Sequence, residues 1–223
     1  MEQEDENGKL LIDSVQLRFG DNVVLQSAYV TSYKGRVTGV LGRNGTGKSC
    51  LFKCIMGGIK PQQGLVRVND DPETDRNHIG RYVRYMPQTP LIPANMTLEK
   101  AFNLYDVDYE GLVRSFNKFH RYHFKTPGEL SGGEVRVAEM YMVLMSDVPF
   151  CILDEPFAQI APIHADKMKE LIAEQKDKKG IIVSDHLYEA IMEVADDLYI
   201  IDSGYTCPVR SHEDLVRHGY LPR

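Results

Sequence analysis

Eight consecutive residues, Gly42-Arg43-Asn44-Gly45-Thr46-Gly47-Lys48-Ser49, have the types and spacing of a phosphate grip, GxxxxGK[ST]. The glycines let backbone N–H groups curl around an anion, and a helix that follows adds the positive end of its dipole. Lys48 is expected to reach the β and γ phosphates of a nucleotide. Ser49 offers a hydroxyl oxygen to Mg2+, which takes hard oxygen ligands and keeps several waters. From residue frequencies, the four fixed positions match by chance in about 1% of chains of this length. A second chemical signal lies in Phe150-Cys151-Ile152-Leu153-Asp154-Glu155, an apolar run that ends in two acids. Asp154 is expected to hold Mg2+ through water. Glu155, on the other side of the strand, is expected to polarise the water that attacks the γ phosphate. Alone, a strand ending in two acids is commonplace, and it gains weight from the loop upstream.

These residues must be delivered by strands and helices, and the flanking pattern supplies them. RVTGVLG, before the glycine loop, reads as a buried strand, and SCLFKCIM, after it, as a helix. Upstream, LLIDSVQLRF and NVVLQSAYV form an expected antiparallel hairpin with its turn at Gly20-Asp21-Asn22. LVRVN and RYVRYMPQ read as further strands on either side of a polar stretch, DDPETDRN. From Thr97 to Lys125 apolar residues recur at three- and four-residue spacings, which predicts a helical segment. Glu134 to Met145 reads as a buried helix, Ile163 to Lys179 as an amphipathic helix closed by Gly180, and Leu187 to Val194 as a short one. IIVSDH and DLYIID are the last strands expected. Strands alternating with helices imply α/β with a mainly parallel sheet, an N-terminal antiparallel part and a small helical insert.

Composition narrows the function classes. The 223 residues fit one sizeable domain, and 43% apolar with 26% charged residues is ordinary for a globular chain. A net charge of −6 argues against a general nucleic-acid surface, so no nucleic acid is expected as a partner. Cys50, Cys54, Cys151 and Cys207 form no CxxC pair and read as core residues. His120 and His123 lack further ligands nearby and read as a solvated face. The start, MEQEDENGK, is the reverse of a secretory signal, and no apolar run is long enough to span a bilayer, so a cytoplasmic location is expected.

Leu130-Ser131-Gly132-Gly133-Glu134, twenty residues before the Asp154-Glu155 pair, resembles the signature of ATP-binding cassette (ABC) ATPases. Adenylate kinases and small GTPases lack it. Phe19 resembles the aromatic that stacks on adenine, Gln88 the glutamine that senses Mg2+ and the attacking water, and His186 the histidine that contacts the γ phosphate. The resemblance runs from about Leu11 to the end. It implies a P-loop NTPase fold over residues 1–223, with a helical insert at about 95–146 that carries the signature. It also implies a nucleotide contact from Gly42 to Ser49 and on to Cys50, Mg2+ between Ser49, Gln88 and Asp154, and catalysis by Glu155, His186 and Gln88. Two copies, or a related heterodimer, would sandwich ATP head to tail between the phosphate loop of one and Ser131, Gly132 and Gly133 of the other. A helix N-terminus there favours an anion on physical grounds as well. The resemblance further implies a separate membrane permease, with this chain on its cytoplasmic face.

Departures from the family pattern are visible. Ala161 stands where the family's aspartate follows the DEP segment, Val135 where a basic residue or glutamine is commoner, and Cys50 where threonine is usual. Only 43 positions separate Gln88 from Ser131, so the insert is short. Two rivals follow. One is a non-transport ABC ATPase in DNA repair or translation, although the coiled coils, zinc modules and tandem cassettes of such proteins are not visible. The other is a module that closes on ATP with little turnover, which the loss at Ala161 favours.

Overall fold

The computed structural model describes residues 8–69, 76–186 and 188–221. The acidic start, most of DDPETDRN and Leu187 lie outside them. The hairpin forms as expected from β1 (Lys9–Phe19) and β2 (Asn22–Tyr33), which pair antiparallel from Lys9↔Tyr33 to Phe19↔Asn22. The buried strand β3 (Val37–Leu41) leads into α1 (Lys48–Ile55), and β4 (Gln63–Val68) returns antiparallel to β1. Then follow β5 (Val83–Met86), α2 (Leu98–Leu104), α3 (Tyr109–Ser115), α4 (Gly132–Met145) and β6 (Phe150–Asp154). The chain continues through α5 (Pro162–Lys176), β7 (Gly180–Ser184), α6 (Tyr188–Met192), β8 (Asp197–Asp202), β9 (Tyr205–Val209) and α7 (His212–Arg217).

The described strands form one sheet in the order β4-β1-β2-β9-β8-β3-β7-β6-β5. From β8 to β5 all neighbours are parallel. A parallel sheet must be covered on both faces, and the alternation along β6 shows how. Phe150 and Ile152 enter a core with Leu51, Phe52 and Ile55 of α1, whereas Cys151 and Leu153 enter one with Val137, Tyr141 and Leu144 of α4. Every residue of β3, β6 and β7 is buried, which explains why these strands read as continuous apolar runs.

Four expectations need correction. The segment from Thr97 to Lys125 is not continuously helical: α2 and α3 have seven residues each, and a 3-10 turn covers Asn117–Arg121. Asp106 takes a left-handed φ of +55° between them, and Asp108 caps α3 by accepting from the Glu110 N–H at 3.0 Å, so the chain breaks where the apolar spacing alone would continue. The last strand is β9, not β8. Ser203 and Gly204, both at positive φ, make the two-residue turn of a β8–β9 hairpin, and Pro208 is tolerated because the ladder of β9 with β2 is limited to Ser27↔Tyr205. The strand expected in RYVRYMPQ is shorter, since Arg81 closes a 3-10 turn. The expected helix to Lys179 stops at Lys176, because the buried Lys179 ammonium turns inward onto the carbonyls of Leu144 and Ser146 at 2.8 and 2.5 Å.

Candidate functional site

Parallel strands end on the same edge, and here four of them deliver chemistry to it. The glycine loop follows β3, Asp185-His186 follow β7, Asp154-Glu155 close β6, and Pro87-Gln88 follow β5. Such an edge is where open α/β sheets bind ligands.

The loop is built around an unfilled helix end. Gly47 is the N-cap of α1 with no side-chain cap, and the first turn holds no acid, so its N–H groups are left for an anion. Gly47 has φ +105°, and a Cβ there would press on Val24 and Leu25 of β2 at 3.0 Å, so glycine is required twice over. The same packing seats the hairpin against the loop. Its tip carries Phe19 with 53% of its surface exposed, a large ring left in solvent beside Gly20. Lys48 is buried and folds back on the loop, donating to the carbonyls of Gly42 at 2.6 Å and Arg43 at 3.3 Å. Burial lowers its pKa, opposed by Glu155, Asp154 and Asp185, so three carboxylates already face this one cation. Ser49 and Cys50 lie half-buried in the first turn of α1; Asn44 and Gly45 are exposed at the loop's crown. Thr46 donates to the Arg43 carbonyl at 2.9 Å, and the Arg43 side chain reaches away to the Gly219 carbonyl.

Asp154 has no exposed surface and is ringed by donors. Ser184 Oγ donates to Oδ1 at 2.7 Å, Tyr85 OH to Oδ2 at 3.1 Å and Gln88 Nε2 to Oδ1 at 3.4 Å. Three donors suit an ionised carboxylate, which can only accept. Burial and the neighbouring Asp154 push the Tyr85 pKa far up, so the phenol stays a donor. Glu155 leaves β6 with φ +51°, a region that costs a side-chain-bearing residue about 1–3 kcal/mol. It is held there by its own N–H on the Ser184 carbonyl at 2.7 Å, and its carboxylate lies 3.8 Å from His186 Nδ1.

The signature opens α4. Ser131 is the N-cap and forms a capping box with Glu134: the Ser131 N–H and hydroxyl both donate to Glu134 Oε2 at 2.7 Å. Gly133 has no room for a Cβ, which would sit 2.8 Å from the Gln159 carbonyl, so the segment after β6 packs directly on the signature. In the second turn of α4, the buried Arg136 donates to the carbonyls of Pro87 at 2.5 Å, of Glu155 at 3.1 Å and of Asp154. Its neighbour Glu139, 3.8 Å away, accepts from the N–H groups of Leu91 and Ile92 at 2.7 and 3.0 Å. The segment carrying Gln88, the turn carrying Glu155 and the signature helix are thereby tied together.

A family model described as ABC transporter matches residues 25–158 of the chain, more than half of its length. The chain belongs to the ABC transporter family. Its relatives include a probable branched-chain amino acid transport ATP-binding protein LivF of Archaeoglobus fulgidus, 29% identical, covering 83% of this chain and 84% of the relative. Another is the lipopolysaccharide export system ATP-binding protein LptB of Haemophilus influenzae, 25% identical over 96% of this chain and 95% of the relative. A solved ATP-binding subunit of an ABC transporter shares the fold with a TM-score of 0.80 at 24% identity, covering 96% of this chain and 95% of that one. A bacterial Atm1-family ABC exporter solved with ATP bound gives 0.82 at 16% identity, with 95% of this chain laid on 40% of the exporter's. The P-loop NTPase fold, mainly parallel with an antiparallel N-terminal part, is therefore that of ABC ATP-binding subunits, and the family binds nucleotide.

Within this family frame, the motif residues divide into two groups. Gly42 to Cys50, Gln88, Asp154, Glu155 and His186 converge on one edge of the sheet. Ser131, Gly132 and Gly133 stand at the start of α4, joined to that edge by Arg136. Sequence reading missed Tyr85, Ser184, Arg136 and Glu139. Tyr85 and Ser184 sit inside stretches that read as strands, and nothing local marks a strand hydroxyl as a carboxylate's partner. An arginine and a glutamate inside the most apolar helix of the chain are the one signal that spacing could have offered, because charges at buried helix positions need partners.

Proposed function

We propose that this chain is the ATP-hydrolysing subunit of an ABC transporter, closing head to tail on Mg-ATP to drive a separate membrane permease. The observation that carries the reading is the convergence at one edge of an uncapped helix end, a buried cation and an acid pair ending in a strained glutamate. Each part has a role. The N–H groups of Gly45 to Ser49 and Lys48 grip the β and γ phosphates, and Phe19 offers a ring to the adenine. Ser49, the Gln88 amide oxygen and Asp154 form a hard-oxygen set that fits Mg2+, Asp154 acting through water since its oxygens already accept from three donors. When bound, the ion neutralises charge on the phosphates. Glu155 accepts a proton from the attacking water, and His186 contacts the γ phosphate beside it.

The partner is a second copy or a related ATP-binding subunit, whose Ser131, Gly132 and Gly133 face the γ phosphate. No described helix is long and apolar enough to cross a membrane; the permease is proposed as a separate protein. Leu104 and Phe124, each more than 70% exposed on the short insert, are apolar side chains such a partner would cover. The cytoplasmic face of the membrane is then the place of work. Calorimetry on Lys48→Ala tests the nucleotide site: affinity for ATP should fall by at least about tenfold with the loss of the buried loop cation. Unchanged affinity would refute the assignment.

A second reading, an ATP-binding module with little turnover, is favoured by one observation. Ala161 precedes α5 as an N-cap without a side-chain cap, and its methyl group offers no polar atom for the contact across the dimer that the family's aspartate would make. A turnover assay on the wild type separates the two readings.

A further inference from the structure

The family signature here carries a charge, Glu134, beside the place where a γ phosphate would arrive. Its carboxylate makes four contacts: Oε2 accepts from the Ser131 N–H and hydroxyl, both at 2.7 Å, and Oε1 accepts from Tyr122 OH at 2.9 Å and pairs with Lys118 Nζ. Burial raises its pKa, but Lys118, Ser131 and Tyr122 overcome this and hold it at about 2, so the carboxylate is ionised at neutral pH. Two consequences follow. A serine hydroxyl has one proton, and the Ser131 proton is committed to Glu134. An anion brought to the start of α4 also meets a carboxylate within the first turn, the reverse of what a helix N-terminus offers by itself.

Lys118 answers both. It stands on the 3-10 turn Asn117–Arg121, outside the signature, and reaches back to Glu134. Lys125 pairs instead with Glu129, at 2.7 Å. If the Ser131 hydroxyl rotates towards a phosphate, Glu134 keeps three of its four donors, so no buried acceptor is orphaned. We propose that Lys118 is a positioning residue of the ATP site: it neutralises Glu134, which frees Ser131 to donate to the γ phosphate held by the other protomer. The inference rests on the head-to-tail reading above and makes the helical insert part of the phosphate site's charge balance.

The test is the ATP concentration that half-converts the Glu155→Gln chain to a dimer, read by size-exclusion chromatography with light scattering. Adding Lys118→Ala should raise it about fivefold, an effect that shrinks at high salt. Adding Glu134→Gln to that chain should bring it back within about twofold, because the charge needing compensation is gone. Lys118→Arg should behave like the parent. A Lys118→Ala chain that dimerises as the parent does sinks the inference while leaving the head-to-tail reading intact. So does a double variant worse than Lys118→Ala, since a purely structural tie would be weakened twice. A parent that stays monomeric at every ATP concentration overturns both.

Discussion

Glu155 and Arg136 show how single residues hold the edge in working shape. A glutamate at φ +51° persists only where its surroundings over-determine it, and here they do. Its N–H is fixed by Ser184, and its carbonyl and that of Asp154 are fixed by Arg136. Burial lowers the Arg136 pKa, opposed first by Glu139 and then by Asp154, Glu155 and Asp185, so the guanidinium stays charged among acids. Arg136→Met should therefore lose about 3 kcal/mol, as three carbonyls and Glu139 lose a buried donor. Arg136→Lys should not restore it, because an ammonium lacks the planar fork. Urea denaturation measures both, and a loss below about 1 kcal/mol would mean that the carbonyls find other partners. The phosphate loop and the Asp154-Glu155 pair could be read from contiguous runs of residues, whereas Gln88 and His186 stood out only through the family resemblance. Arg136 and Tyr85 were not, since their partners lie 18 and 69 residues away and only the fold brings them together.

Helix ends decide much at the scale of elements, and two of them contrast. α4 starts with a complete capping box, whereas α5 starts at Ala161 with φ −66°, ψ 143°, the backbone of a capped helix without the cap. Ala161→Asp should supply it, accepting from a first-turn N–H and stabilising the protomer by about 1 kcal/mol, visible as a raised Tm. If the introduced carboxylate also restores the family's contact between protomers, ATP-driven dimerisation should rise beyond what the cap explains, provided the facing loop offers a donor. A variant no more stable than wild type and no better at dimerising would show that the loop is rebuilt around alanine. Elements were legible where burial was one-sided or complete, as in β1, β2, β3, β6 and β7. The insert was not, because its apolar spacing continues through Asp106 while the backbone turns there. β9 was hidden by its proline and by a Ser203-Gly204 turn that reads equally well as a loop.

For the whole molecule, the order β3-β7-β6-β5 sets four strand ends side by side, so residues as far apart in sequence as Gly42 and His186 share one edge. That edge brings together the uncapped start of α1 and the buried Lys48, but the signature is set apart at the start of α4, and Ser131 is turned to its own Glu134. On the proposed function, two chains complete each other's sites and hydrolysis at Glu155 then releases them. The direct measurement is light scattering on Glu155→Gln in Mg-ATP alongside its turnover. The expected result is a dimer that ADP does not support, with turnover at least about a hundredfold below wild type. A monomer in Mg-ATP, or turnover within about threefold of wild type, would contradict it.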